Sequence, residues 1–479
     1  MQEVLALDAM EQAALIAGGA LSAEELMAAT LRRIEALNGT VNAVVSLRDS
    51  HALMAEARAA DNALRKGAGK GWMHGLPLAV KDLQDVAGLP TTKGSPLLAG
   101  QMAARDSLLL ARMRAAGAII IGKTNTPEFG LGSHTFNPVF GATGNAWDPA
   151  RSAGGSSGGA AVALALGMVA VADGSDMMGS LRNPAGWNHV YGMRPSWGRV
   201  PDGPGNDSYL HPLATDGPMA RSPRDLAALL EVQAGPHPAM PFGLPPEGFV
   251  ERIAAPVAGR RIGWLGDWGG AFAMESGVTE TCEAALERWP MAGVRVDACA
   301  PPMDAGALWW AWCVMRSFAV AGKLGAFYDD PATRAKLKPA AVWEVELGRE
   351  VTPEELREAS LIRSRWYATA AELFDRYDAL ALPTAQVWPF DKTAVHPDAI
   401  GGRAMDSYHR WMEVVVPASL IGLPAISLPA GFGAGGVPMG VQIIGRHGAD
   451  AALLQLAHAW HPMRPGADML PPLLAGLHS

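Results

Sequence analysis

The chain has 479 residues, of which 49% are hydrophobic and 18% charged, with a net charge of −8. This composition can build a large core, and its acidic balance (pI near 5.9) offers no basic field for nucleic acid or an anionic membrane surface. Three cysteines, Cys282, Cys299 and Cys313, with no CxxC pair argue against a disulfide framework or a cysteine metal cluster, and buried thiols in a reducing cytoplasm are expected. The opening MQEVLALDAMEQAALIAGG has no cationic stretch, so no secretory signal is expected. Nor is there an uninterrupted run of about 18 apolar residues to span a membrane.

In chain order, Ser22-Ala23-Glu24-Glu25 fits a capping box, and Leu26, Leu31, Ile34 and Leu37 share one helical face up to Asn38-Gly39. Val41 to Leu47 reads as a strand and Ser50 to Arg65 as an alanine-rich helix. Leu76 to Leu83 is an apolar strand with a lysine near its end, where alternation puts Ala79, Lys81 and Leu83 on one face and Val80 and Asp82 on the other. An ordinary edge lysine paired with Asp82 is the plain reading of that pattern. Asp106-Ser107 caps a helix through Ala116, Ala118 to Ile121 is a buried strand, and Thr126-Pro127 opens a further helix. This alternation of helices and strands predicts an α/β fold with a mixed sheet.

Arg151 to Pro195 is the stretch that carries chemistry. Gly154-Gly155-Ser156-Ser157-Gly158-Gly159 leads into an apolar helix to Leu166, followed by a short strand, Met168 to Ala172. A second small-residue turn, Gly174-Ser175-Asp176-Met177-Met178-Gly179-Ser180, precedes Arg182 and Pro184. Glycine suits such turns because a chain without Cβ atoms makes them freely and lets a substrate approach the backbone. Two serine-bearing turns joined by a helix and a strand can set two hydroxyls side by side.

Beyond this stretch, residues 200–256 are loop-rich with a helix at Ser222 to Val232. Strand Arg261 to Leu265, helix Val278 to Arg288 and strand Val294 to Ala298 form a second α/β passage. Residues 305–411 are helical and rich in tryptophan (Trp309, Trp310, Trp312, Trp343, Trp366), a pattern more typical of core than of pocket. Asp378 to Pro383, Ser419 to Pro429 and Met439 to Gly445 read as strands, and Ala451 to Trp460 as a last helix.

The GGSSGG and GSDMMGS blocks, with Arg182 and Pro184, resemble the amidase signature family of serine hydrolases, as do GLPLAVKD around Lys81, IGLPAISLPAGF and PMGVQIIGR. The resemblance covers about residues 20–235 and 375–460. It implies the amidase signature fold, a central mixed twisted β-sheet covered by helices on both faces. It implies one domain over residues 1–479, with a divergent Trp-rich insert at about 240–410 as a lid over the pocket. It also implies a Ser–Ser–Lys triad: Ser180 as nucleophile, Ser156 as proton relay with a cis peptide bond, and Lys81 as base, whose pKa burial would lower. Backbone N–H groups of Met177, Met178, Gly179 and Ser180 would form the oxyanion hole. The family pattern has glycine where Met178 stands, so ordinary dihedrals are expected there, with Met177 and Met178 narrowing a pocket for apolar or aryl acyl groups.

Other readings of the same residues are poorer. Gly154-x-Ser156-x-Gly158 fits a nucleophile elbow, but Trp147 to Arg151 is not the hydrophobic strand an elbow needs. A phosphate loop would need GK[ST] and a preceding strand. His134, His189 and His211 lack metal-ligand spacing, so no metal or other cofactor is expected. The expected function is hydrolysis of a C–N bond in small apolar or aryl amides, with carbamates (urethanes) and esters open to the same serine, in the cytoplasm and without nucleic-acid or membrane partners. The amidase subunit of a glutamine-dependent tRNA amidotransferase is the alternative. A homodimer is left open.

Overall fold

The computed structural model describes residues 2–203, 207–210 and 213–475, so His211 lies outside the described residues. The helix α1 (Ala23–Val41) starts on the expected capping box: the Ser22 side chain accepts from Glu25 N–H, and Glu25 reaches back to Ser22 N–H. The other helices that matter here are α2 (Ser50–Arg65), α3 (Leu108–Ala115), α4 (Gly158–Ala165), α5 (Arg182–Trp187), α6 (Pro223–Gln233) and α7 (Val278–Leu286). They are followed by α8 (Ala305–Asp329), α9 (Pro339–Glu350), α10 (Pro353–Leu373) and α11 (Asp450–Trp460). The strands are β1 (Val44–Val45), β2 (Pro77–Lys81), β3 (Ile119–Thr124), β4 (Val171–Asp176), β5 (Tyr191–Arg194) and β6 (Thr215–Ala220). Then come β7 (Arg261–Trp264), β8 (Arg295–Ala298), β9 (Ala379–Pro383), β10 (Ala425–Phe432) and β11 (Pro438–Ile444).

An eight-stranded sheet runs β8-β7-β9-β11-β10-β5-β6-β4. β8, β7 and β9 are mutually parallel, and the remaining pairs are antiparallel, so the sheet is mixed as expected. A smaller sheet, β1-β3-β2, carries Lys81 at the end of β2. Helices pack along the large sheet: α4 on β4, α5 on β10 and β11, α6 on β6, and α7 on β10. The two sheets meet where β2 packs on β4, and that junction positions the serines.

Several boundaries differ from expectation. The strand expected at Met168 to Ala172 runs from Val171 to Asp176, because pairing with β6 continues through Ser175↔Asp216 and Asp176↔Thr215. Part of the second serine turn is therefore strand. β6 itself, sequence TDGPMA, falls in a stretch that reads as loop because glycine and proline are poor strand formers. The helix expected after Thr126 is a single turn, Glu128–Gly130, cut short by Phe129 at φ 53° and Gly130 at φ 70°. The region 240–410 does not stand apart from the rest, since it supplies β7, β8 and β9 to the large sheet. Its tryptophans are largely core, with Trp312 and Trp366 fully buried, while Trp310 and Trp343 reach the surface.

Candidate active site

Burial of Lys81 is complete, and its amine meets three hydroxyls. Nζ donates to Ser156 Oγ at 2.8 Å, Ser157 Oγ at 2.8 Å and Ser175 Oγ at 3.0 Å. Three hydroxyl partners suit an ammonium with three donors, and equally an amine with two donors and one acceptor. Losing the proton then requires only that one hydroxyl reverse. Burial lowers the lysine pKa to about 7, with Asp173, Asp216 and Asp176 pulling it back up. The edge-lysine reading is excluded: Asp82 faces the other way, toward Lys123 at 3.5 Å and Thr92.

The serines reach Lys81 because each turn is held from behind. The Gly155–Ser156 peptide is cis, as the family resemblance implies. Thr135 Oγ1 accepts from Gly158 N–H at 3.2 Å and donates to Gly154 O at 2.8 Å, which anchors the first turn. The second turn is organised by Asp176, which accepts from Gly179 N–H at 2.9 Å and Leu181 N–H at 3.1 Å. Arg182 donates to both its oxygens at 3.0 Å, and Arg194 adds a further bond at 3.2 Å. Burial alone would raise the Asp176 pKa, but the two guanidinium groups outweigh it and hold the carboxyl well below the usual range.

Ser180 follows this turn. Its carbonyl accepts Ser157 N–H at 3.3 Å, and it lines one cavity of about 1140 Å³ together with Ser156, Ser175 and Met177. Of the four backbone donors named from the sequence, Gly179 N–H is committed to Asp176. Those of Met177, Met178 and Ser180 meet no protein acceptor among the described residues. Met178 is outside the left-handed region, as expected, while Gly179 takes φ 79°. Only Met177 faces the cavity; Met178 is 2% exposed in the main core, because neighbours on so tight a turn point to opposite sides.

Sequence reasoning misses four groups. Ser157 and Ser175 bind the lysine directly, and their place in the serine turns is the signal that could have flagged them. Asp173 accepts Lys81 N–H at 3.1 Å, and burial raises its pKa to about 6. Asp216 lines the cavity and accepts from Gln84 at 2.8 Å; burial, then Asp202 and Asp173, raise it to about 8. Nothing in the loop-like sequence around Asp216 marks it. From α8, Arg316, Val320, Leu324 and Phe327 also line the cavity.

Known proteins resemble the chain over nearly its whole length. The Amidase family profile matches residues 25–454. The chain is 31% identical to an acylamidase of Rhodococcus erythropolis, over 97% of each chain. It is 36% identical to the A component of the glutamyl-tRNA(Gln) amidotransferase of Thermus thermophilus, over 97% of this chain and 99% of that one. Among solved structures, a bacterial aryl acylamidase of the amidase signature family superposes with TM-score 0.89 at 28% identity, covering 95% of this chain and 96% of that one. A 6-aminohexanoate cyclic dimer hydrolase gives 0.87 at 29% identity, over 98% and 99%. With its mixed sheet and the matched profile, the chain belongs to the amidase signature family of enzymes that hydrolyse amide C–N bonds.

Proposed function

We propose that the protein hydrolyses small apolar or aryl amides through Ser180, Ser156 and Lys81, and that aryl carbamates and esters enter the same site. The observation that carries this reading is the buried Lys81 amine, 2.8 Å from Ser156 Oγ, beneath a cavity that Ser180 also lines. A serine hydroxyl needs a base, and a lysine with a pKa of about 7 is neutral in a large fraction of molecules at neutral pH.

In the first step Ser180 Oγ attacks the carbonyl carbon as its proton passes to Ser156 Oγ, whose own proton passes to Lys81 Nζ. The N–H groups of Met177, Met178 and Ser180 receive the developing oxyanion. Collapse breaks the C–N bond, and the proton returns through Ser156 to the departing nitrogen. Water then attacks the acyl-enzyme by the same route, restoring Ser180. The apolar wall of Met177, Val320, Leu324 and Phe327 fits an apolar acyl or aryl group. The acylamidase and aryl acylamidase relatives support this substrate class. A cytoplasmic location belongs to the same reading, since the cysteines are free thiols, and no described helix is long and apolar enough to cross a membrane.

A role inside a tRNA amidotransferase is the second reading, because of the 36% identical relative. A turnover panel of p-nitroanilide amides, aryl carbamates and free glutamine separates the two: aryl amide hydrolysis without partners supports the first, and glutamine hydrolysis alone the second. Ser180→Ala should abolish turnover with the fold intact, and a serine-directed phosphonyl reagent should add once, at Ser180. An adduct at Ser156 would overturn the assignment.

A further inference from the structure

Arg316 of α8 is 3% exposed by side chain, lines the catalytic cavity and is only partly satisfied. Its Nε donates to Glu344 Oε1 at 2.6 Å and its Nη2 to Tyr408 Oη at 2.6 Å. Tyr408 in turn donates to the same Glu344 oxygen at 2.6 Å. Nη1 has a different kind of neighbour: its partner is the Met177 thioether, at 3.4 Å. A guanidinium carries five N–H donors, and thioether sulfur is a weak acceptor. The remaining donors of this buried arginine have no strong acceptor within the protein and are open to one in the cavity that the side chain lines.

Two further observations define that acceptor. Glu344 already balances the guanidinium charge at 2.6 Å, so the unused donors ask for an acceptor rather than for a counter-ion. Position defines the rest. Met177, whose thioether meets Nη1, belongs to the turn that ends at Ser180 and supplies an oxyanion donor, so the arginine faces the cavity beside the end that holds the scissile carbonyl. The geometry points to Arg316 as a specificity-determining donor that holds a second, uncharged carbonyl oxygen in the acyl group of the substrate. This deepens the amidase reading above and rests on it. Met177 then acts as a stand-in acceptor that an incoming oxygen displaces.

The test compares kcat/KM for acyl p-nitroanilides with and without a ketone, moved carbon by carbon along the acyl chain. One ketone position should be favoured over the plain chain by about tenfold or more, the scale of a hydrogen bond to a charged donor. Met177→Leu conserves volume but removes the sulfur, and should widen that preference. Arg316→Met combined with Glu344→Leu removes the pair without leaving a lone charge, and should bring the two substrates to parity. Should the double variant not fold, Met177→Leu carries the test. Absence of any ketone preference in the wild type overturns the inference, as does a preference that shrinks in Met177→Leu or survives the double change. A preference confined to ketones in the amine half, or for a carboxylate over the ketone, overturns it as well. Calorimetric binding of the same compounds to Ser180→Ala reads the subsite without turnover. Plain anilides hydrolysed with no ketone preference would leave the amidase reading standing and sink this one alone.

Discussion

At the residue scale the site turns on Lys81, where two opposing effects nearly balance. Burial favours the neutral amine, while Asp173 and Asp176, and Asp216 where it is ionised, favour the ammonium, and the outcome is a pKa of about 7. Since the neutral form is the base, kcat/KM should rise with pH through that value. Asp173 contributes the largest of the opposing fields and touches Lys81 only through its backbone N–H. Asp173→Asn should therefore move the acid limb to lower pH, because it removes a charge that stabilises the ammonium. Measured pH–rate profiles of wild type and variant decide this, and a limb that stays in place or moves upward contradicts the assignment.

At the scale of elements, GGSSGG shows why composition can point to the right place for an incomplete reason. Glycine there reads as freedom to turn, and Gly154 at φ 74° fits that reading. Gly159 lies inside α4, and a Cβ on it would sit 2.4 Å from Asn125 N and 2.6 Å from Ala43 O. It is glycine because the helix must touch the backbone beside β3, a neighbour distant in sequence. Gly159→Ala should cost about 1–3 kcal/mol in urea unfolding, the usual penalty of overpacking, and should lower kcat by shifting Ser156. Gly39, inside α1 with nothing within 4 Å of its would-be Cβ, offers the opposite case. There Gly39→Ala should stabilise by up to about 1 kcal/mol through helix propensity. The same split explains what could be read in advance. The Ser22–Glu25 cap and the opposed faces of Lys81 and Asp82 depend on local rules, and both hold. β6, the lone turn at Glu128 and the placement of Asp216 depend on partners far along the chain, and short-range patterns do not encode them. The serine turns were legible because their residues are the chemistry itself.

At the scale of the whole molecule, the buried ion cluster joins distant parts of the chain. Arg182 binds Asp176 and also reaches Gln442 at 2.6 Å, Ser419 at 2.7 Å and Val415 O at 3.1 Å. Asp176→Asn would leave two buried guanidinium groups short of a counter-charge, and should cost about 3–5 kcal/mol, measured as a fall in the urea midpoint. β11, which carries Gln442, is also the strand that links β8-β7-β9 to β10-β5-β6-β4. This sets the timing of the enzyme's birth. Chains are made at about 5–20 residues per second, so Ser156 and Ser180 leave the ribosome many seconds before β11 does. Until then the sheet is two separate halves and Arg182 lacks Gln442, its partner on β11. A chain ending at Gly433, or one stalled there during translation, should carry Ser156, Ser180 and Lys81 yet hydrolyse nothing. Adding residues 434–475 as a separate peptide should restore activity only as far as it inserts between β9 and β10, and activity in the truncated chain alone would show that the serine turns assemble without the closing strand.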